Sequence, residues 1–129
     1  MSKASSLGIN GEELAASFLV DRGYTILDRN WNLHKGYELD IVAEKDGEIV
    51  FVEVKTRSQH ILASPEDAVD AKKIRRICIA ADHYVKQFQI DKYFRFDIIA
   101  IILGDDKSYQ IKHIENAFHV PLTSVGGRW

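Results

Sequence analysis

The stretch Tyr37–Arg57, YELDIVAEKDGEIVFVEVKTR, decides how this chain folds. Two extended apolar runs meet at Asp46-Gly47, the dipeptide that best supplies the positive φ angles of a two-residue hairpin turn. Counting outward from a tight turn sets the register: Lys45 faces Glu48, Val42 faces Phe51, Asp40 faces Glu53 and Glu38 faces Lys55. Glu38, Asp40, Glu53 and Lys55 then share one face at the open end of the hairpin. The other face carries Leu39, Ile41 and Ala43 on one strand and Val50, Val52 and Val54 on its partner. That alternation predicts one face packed into a core and one face free for chemistry.

Cross-strand partners lie about 5 Å apart, so a directly opposed Asp40 and Glu53 repel. Three things can offset the repulsion: a proton shared by the carboxyls, the ammonium of Lys55, or a bound divalent cation. A hard cation such as Mg²⁺ takes carboxylate and carbonyl oxygens and keeps several waters. Asp40, Glu53 and the backbone carbonyl of Val54 supply such a set. Any single acid here is more often an ordinary surface charge. An Asp followed by Glu-x-Lys, with apolar strand on both sides, points instead to a site.

The 129 residues, 46% hydrophobic and 28% charged, have the size and composition of one soluble globular domain, with the ends at 1–6 and 120–129 expected to be loose. The longest apolar run, Ile98–Leu103, is too short to span a bilayer, and the Ser-rich start lacks the apolar core of a signal peptide. A cytoplasmic protein without a membrane partner is expected. A lone Cys78 in a helical apolar pattern forms no internal disulfide, and the five histidines lack the spacing of a zinc site. A net charge of -2 argues against coating nucleic acid by bulk electrostatics. It leaves room for a local basic surface beside an acidic pocket, which is what a metal-dependent nuclease needs.

Upstream of the hairpin, a helical stripe of Leu7, Gly11, Leu14, Ala15 and Phe18 runs from about Leu7 to Arg22 and stops at Gly23. Asn10 with Glu13 could form a capping box, which would start this helix later. Glu12, on the border of the stripe, has two readings: it projects toward the hairpin, or it merely complements the helix dipole. Tyr24–Trp31 alternates as a strand, and residues 32–36 are expected to be a loop.

Downstream, Ser64-Pro65-Glu66-Asp67 predicts the start of a helix running to about Phe88, with Val69, Ile74, Ile77, Cys78, Ala81, Val85 and Phe88 inward. Its Lys72, Lys73, Arg75 and Arg76 form either a solvated face or, if one flank meets the acids, a phosphate contact led by Lys72. Arg95–Leu103 is a buried central strand, turned by Gly104-Asp105-Asp106 into a second hairpin with Tyr109–Ile114. The tail ending in Trp129 is expected to be loose. This order predicts an α/β architecture with a mixed sheet, its hairpin strand and Arg95–Leu103 parallel across the helix, and the acids near the sheet's open edge.

Asp40 followed by Glu53-x-Lys55 across a hairpin resembles the PD-(D/E)xK restriction-endonuclease-like nucleases. Taken with Gly11-Glu12, Glu38-Leu39-Asp40, Phe51–Arg57, Lys72 and Arg95-Phe96-Asp97, the chain from about Gly8 to Phe118 resembles the YraN-type family of predicted endonucleases. That family is similar to archaeal Holliday-junction resolvases. The resemblance implies a mixed five-stranded sheet flanked by helices. It also implies an acidic metal site of Glu12, Asp40 and Glu53 holding Mg²⁺ or Mn²⁺, with Lys55 orienting or activating water. Leu39 stands where the superfamily's nominal proline would be. Tyr37 stands just before the acid, where relatives tend to have glycine, and would narrow the pocket mouth.

The expected reaction is phosphodiester hydrolysis, in DNA ahead of RNA. Asp40, Glu53 and the Val54 carbonyl, with Glu12 through water, would hold the metal. Lys55 would position water or neutralise phosphoryl charge, and Glu38 would hold Lys55 or support the metal's ligands. Arg57, Lys72 and Arg95 are candidate phosphate contacts. Cleavage of a junction-like substrate would favour a homodimer with two sites. Two other classes compete: a catalytically silent nucleic-acid-binding or assembly module on the same fold, and a protein-interaction domain whose acids are surface charge.

Overall fold

The computed structural model of the protein describes residues 10–60 and 70–120. Within them the chain runs α1 (Gly11–Asp21), β1 (Thr25–His34), β2 (Tyr37–Lys45), β3 (Glu48–Ser58), α2 (Ala71–Gln87), β4 (Phe94–Leu103) and β5 (Tyr109–Phe118). The strands form one sheet in the order β1-β2-β3-β4-β5, with β3 and β4 parallel and the other neighbours antiparallel. The parallel pair is the one expected from a helix lying between its two strands.

The turn at the centre forms as its residues dictate, with Asp46 at φ 54° and Gly47 at φ 78°. β2 and β3 pair in the counted register from Lys45–Glu48 and Val42–Phe51 to Ile41–Val52. There the ladder stops. Asp40–Glu53 and Glu38–Lys55, expected to continue it, are not backbone pairs. Beyond Ile41–Val52 the strands part: β2 stays with β1 to Tyr37, and β3 stays with β4 to Ser58.

Both faces of the hairpin are packed, where the alternating pattern suggested only one. Ile41, Ala43, Val50 and Val52 join Ala15, Leu19, Ile99 and Ile101 beneath α1. Val42, Ile49 and Phe51 join Ile77, Ala81, Tyr84, Phe96 and Ile98 beneath α2. Leu39, expected beside Ile41 and Ala43, belongs to the α2 side; it lies just past the point where β2 leaves β3. A central strand with a helix on each face is apolar throughout, which blurs the period-two signal.

α1 starts at the later of its two predicted positions. The Asn10 side chain accepts from the Glu13 N–H at 3.1 Å, and Gly23 closes the turn after the helix at φ 90°. α2 is capped by Asp70, whose carboxylate accepts from the Lys73 N–H at 2.8 Å. Leu7 and the predicted start at Ser64-Pro65, with Val69, lie outside the described residues.

Ile77, Cys78 and Ala81 are buried as predicted, together with Ala80 and Tyr84, whereas Phe88 at the C-cap is 48% exposed. Burial pushes the Cys78 thiol up to about 12, so it is a packing group and not a nucleophile. β1 continues through the predicted loop to His34, leaving a two-residue turn at Lys35-Gly36 with Gly36 at φ 88°. β5 likewise runs on to Phe118. No helix among the described residues is long and apolar enough to cross a membrane.

Candidate active site

The divergence of β2 from β3 opens a fork inside the sheet, and the acids sit in it, not at the sheet's edge. A strand that loses its neighbour leaves backbone donors unpaired. At the fork the Asp40 carboxylate takes that role, accepting from the Val54 N–H at 2.9 Å. Glu53 precedes Val54 and is 5% exposed. Strand alternation puts Glu53, Lys55 and Arg57 on the α2 side, since Val52 belongs to the α1 side. Lys55 Nζ lies 3.2 Å from Glu53 Oε2.

A second ammonium reaches the same oxygen: Lys73 Nζ, from the first turn of α2, also at 3.2 Å. Lys72, the residue first favoured in this cluster, is exposed. Lys73 was legible in principle. The buried stripe Ile77, Ala81 and Tyr84, extended one turn upstream by four residues, lands on Lys73.

The electrostatics are unbalanced. Burial pushes the Asp40 carboxyl up to about 7. The charge of Glu53, the hydrogen bond the two carboxyls can share, and the charge of Glu12 push the same way; the Val54 N–H opposes them. Burial pulls the Lys73 ammonium down, but the charge and hydrogen bond of Glu53, with Asp40 behind it, outweigh this and raise it. Of the three offsets, the lysine contacts at Glu53 are in place, and the raised Asp40 carboxyl favours a proton between the two acids.

Glu12 comes near the fork from the other face because α1 sits down hard on β3. A Cβ at Gly11 would lie 2.5 Å from Thr56 Oγ1, so any larger residue there must displace the Thr56 side chain. Glu12 nevertheless completes no convergent ligand set: among the described residues no three His, Cys, Asp or Glu side chains gather at metal-binding spacing. The buried Glu53 and half-buried Asp40, with Glu12 adding negative charge beside Asp40, still fit Mg²⁺, which binds through one or two carboxylates and retained waters. They do not fit a structural zinc site, which closes four ligands, mostly Cys and His, around the ion.

Three expected members lie elsewhere. Glu38 is exposed and pairs with Asn32 on β1, and Lys55 is held by Glu53 in its place. Arg57 shares the face of Lys55, its Nη1 donating to the Thr56 carbonyl at 3.0 Å. Arg95 is not near the fork. It pairs with Val50, whose side chain packs under α1, and its guanidinium donates to Asp97 at 3.0 Å, Glu48 at 3.0 Å and the Tyr24 hydroxyl at 2.7 Å. Its neighbour Asp97 is fully buried and held also by His113 Nε2 at 2.7 Å and the Asn116 N–H at 3.1 Å. The sequence reading missed this network. Apolar residues around Arg95 and Asp97 made a buried pair as plausible as a phosphate contact.

A mixed five-stranded sheet between helices, with Asp on one strand and Glu-x-Lys on the next, is a restriction-endonuclease-like fold. The chain belongs to the family described as "Uncharacterised protein family UPF0102", whose model matches residues 11–101; this is the YraN-type family that the sequence resembles. It is 51% identical over 121 residues to the UPF0102 protein of Parabacteroides distasonis, covering 94% of this chain and 98% of that one. The UPF0102 protein of Bacteroides thetaiotaomicron is 51% identical over 123 residues, 95% of this chain and 99% of the relative. That of Flavobacterium psychrophilum is 42% identical over 119 residues, 92% and 98%.

Proposed function

We propose that this protein is a metal-dependent nuclease that hydrolyses phosphodiester bonds, in DNA ahead of RNA, with branched or otherwise structured DNA as the preferred class. One observation carries the reading: the fork brings a half-buried Asp40 beside the buried Glu53, with Lys55 and Lys73 both on Glu53. In the reaction a water oxygen bonds to phosphorus, the bond to one bridging oxygen breaks, and that oxygen leaves with a proton as a hydroxyl. Asp40 and Glu53, with the Val54 carbonyl, would hold Mg²⁺ or Mn²⁺; when bound, such an ion lowers the pKa of a coordinated water and polarises the phosphoryl group. Lys55 and Lys73 keep Glu53 oriented and present ammonium charge where negative charge grows on the phosphoryl oxygens. Glu12 supports the site by adding negative charge beside Asp40.

A silent binding or assembly module on the same fold draws on a specific feature too: Glu53 is already paired with two lysines, and among the described residues no third acid joins the pair at metal-binding spacing. Incubation of the protein with labelled duplex, branched and single-stranded DNA and with RNA, in Mg²⁺ and in Mn²⁺, separates the two. The nuclease reading expects metal-dependent cleavage that disappears in Asp40→Ala and Lys55→Ala. Cleavage of none of these substrates by the wild type defeats it.

A further inference from the structure

The strand register lays out a second set of cations beyond the acids. Lys55 on β3 pairs with Ala100 on β4, and Ala100 pairs with Lys112 on β5, so the three form one row across the sheet. The next row outward is Arg57, Ile102 and Gln110. Both rows lie on the α2 face, because Ile98 and Ile114, one row inward beside Glu53, pack in the cluster beneath α2. Adjacent strands are about 4.8 Å apart, which puts the backbone of Lys112 about 10 Å from that of Lys55. Long lysine stems on the same face close much of that gap.

The helix makes the two sides of the fork unequal. α2 packs over β1 and β2, and its Lys73 stands directly above Glu53. β5 is an edge strand, and its Gln110 and Lys112 are exposed. Among the described residues, Glu115 lies 3.5 Å from Arg95, Asp105 holds His60 at 2.9 Å, and Asp106 accepts from the Ser108 N–H at 3.1 Å. A polyanion entering the fork therefore meets a packed helix, with its own Lys72, Arg75 and Arg76, on one side and an uncovered edge strand bearing Lys112 on the other.

We propose that the nucleic-acid backbone leaves the fork across β3, β4 and β5, and that Lys112 holds a phosphate there. This path rests on the nuclease reading of the fork and adds the direction of the bound strand and the residue that fixes it. Lys112 is a positioning contact: it touches phosphate away from the scissile bond. A path along α2, past Lys72, Arg75 and Arg76, is the competing course.

Binding of fluorescein-labelled duplex and single-stranded DNA, followed by anisotropy at several KCl concentrations with Ca²⁺ in place of Mg²⁺, tests the path on the full-length protein. Each phosphate neutralised by a lysine contributes about one to the salt slope. Lys112→Glu is expected to weaken binding about tenfold and to lower the slope by about one. Lys86→Glu, an equal charge change at the far end of α2, is expected to stay within about twofold of wild type. Thermal melts check that both variants are folded.

If Lys112→Glu binds as Lys86→Glu does, or if Lys72→Glu alone carries the loss, the path is wrong. Asp40→Asn separates this failure from that of the nuclease reading. An Asp40→Asn variant that binds but does not cleave, beside a Lys112→Glu variant that binds normally, removes only the path. A cleavage-competent Asp40→Asn beside a weakened Lys112→Glu removes only the catalytic assignment.

Discussion

Asp97 and Asp40 are both aspartates on strands inside the sheet, yet their surroundings move their affinity for a proton in opposite directions. Burial alone would raise Asp97, but the hydrogen bonds of His113 and Arg95 and the Asn116 N–H outweigh it and hold the carboxyl below the usual range. Asp40 has one donor, the Val54 N–H, against burial and two neighbouring acids, and it is raised. On the α1 side of the sheet donors outnumber acids, and the cluster closes on itself. At Asp40 a single donor faces two neighbouring acids, an imbalance that a bound cation would offset. Glu53 and Asp97 are the two buried charged residues among those described, one in each cluster. Burial therefore does not separate site from scaffold here; the balance of donors does.

The sharpest way to break this contrast is to remove each acid in turn. Asp97→Ala strands Arg95 and His113 and is expected to cost about 3–5 kcal/mol in urea unfolding, the usual penalty for breaking a buried ion pair from one side. Asp40→Asn is expected to leave the metal-free protein as stable as wild type or more so, because it relieves a repulsion. Equal losses in the two variants would erase the distinction. Next in size, Lys55→Ala is expected to slow cleavage by about 10²–10³-fold, the scale of losing one group that stabilises transition-state charge. Arg95→Lys is expected to change stability much more than the rate of folded enzyme.

Gly11→Ala comes third. The added methyl must displace Thr56, at about 1–3 kcal/mol for overpacking. By lifting the start of α1 it should also move Glu12 away and lower the Asp40 pKa, which NMR titration of the carboxyl would read.

A further effect is a slope with pH. Folded Asp40 keeps its proton up to about 7, but unfolded Asp40 only to the ordinary carboxylate value, so between the two the folded state holds more protons. Stability of the metal-free protein therefore falls as pH rises through that window, by at most about 1.4 kcal/mol per pH unit. Asp97 works the other way: its contribution is present above the ordinary carboxylate value and is lost as pH falls through its depressed one. Asp40→Asn should flatten the first slope and leave the second.

The fold was legible because local chemistry and global pattern agree. Asp46-Gly47 fixed the register as far as Ile41–Val52, and a helix between Thr56 and Arg95 implied the parallel pair. Asp40, Glu53 and Lys55 followed by counting, although the ladder ends before Asp40 and a carboxylate replaces the expected backbone pair. What stayed hidden depends on tertiary contact. Four adjacent cations do not say which one turns inward, and Lys73 does so only because α2 docks over Glu53. Arg95 read as a phosphate ligand because a single strand cannot show that Glu48, Tyr24 and Asp97 surround it. Phe88 fits the apolar stripe but falls at the C-cap, where the stripe has run past the sheet.

Calorimetric titration of Mn²⁺ into the protein near pH 7, where Asp40 still holds part of its proton, with wild type beside Asp40→Asn, tests the cation-accepting fork most directly. The fork predicts saturable binding to the wild type, with proton release as Asp40 gives up its proton, and its loss in the variant. No binding to the wild type, or equal binding to both proteins, would contradict it.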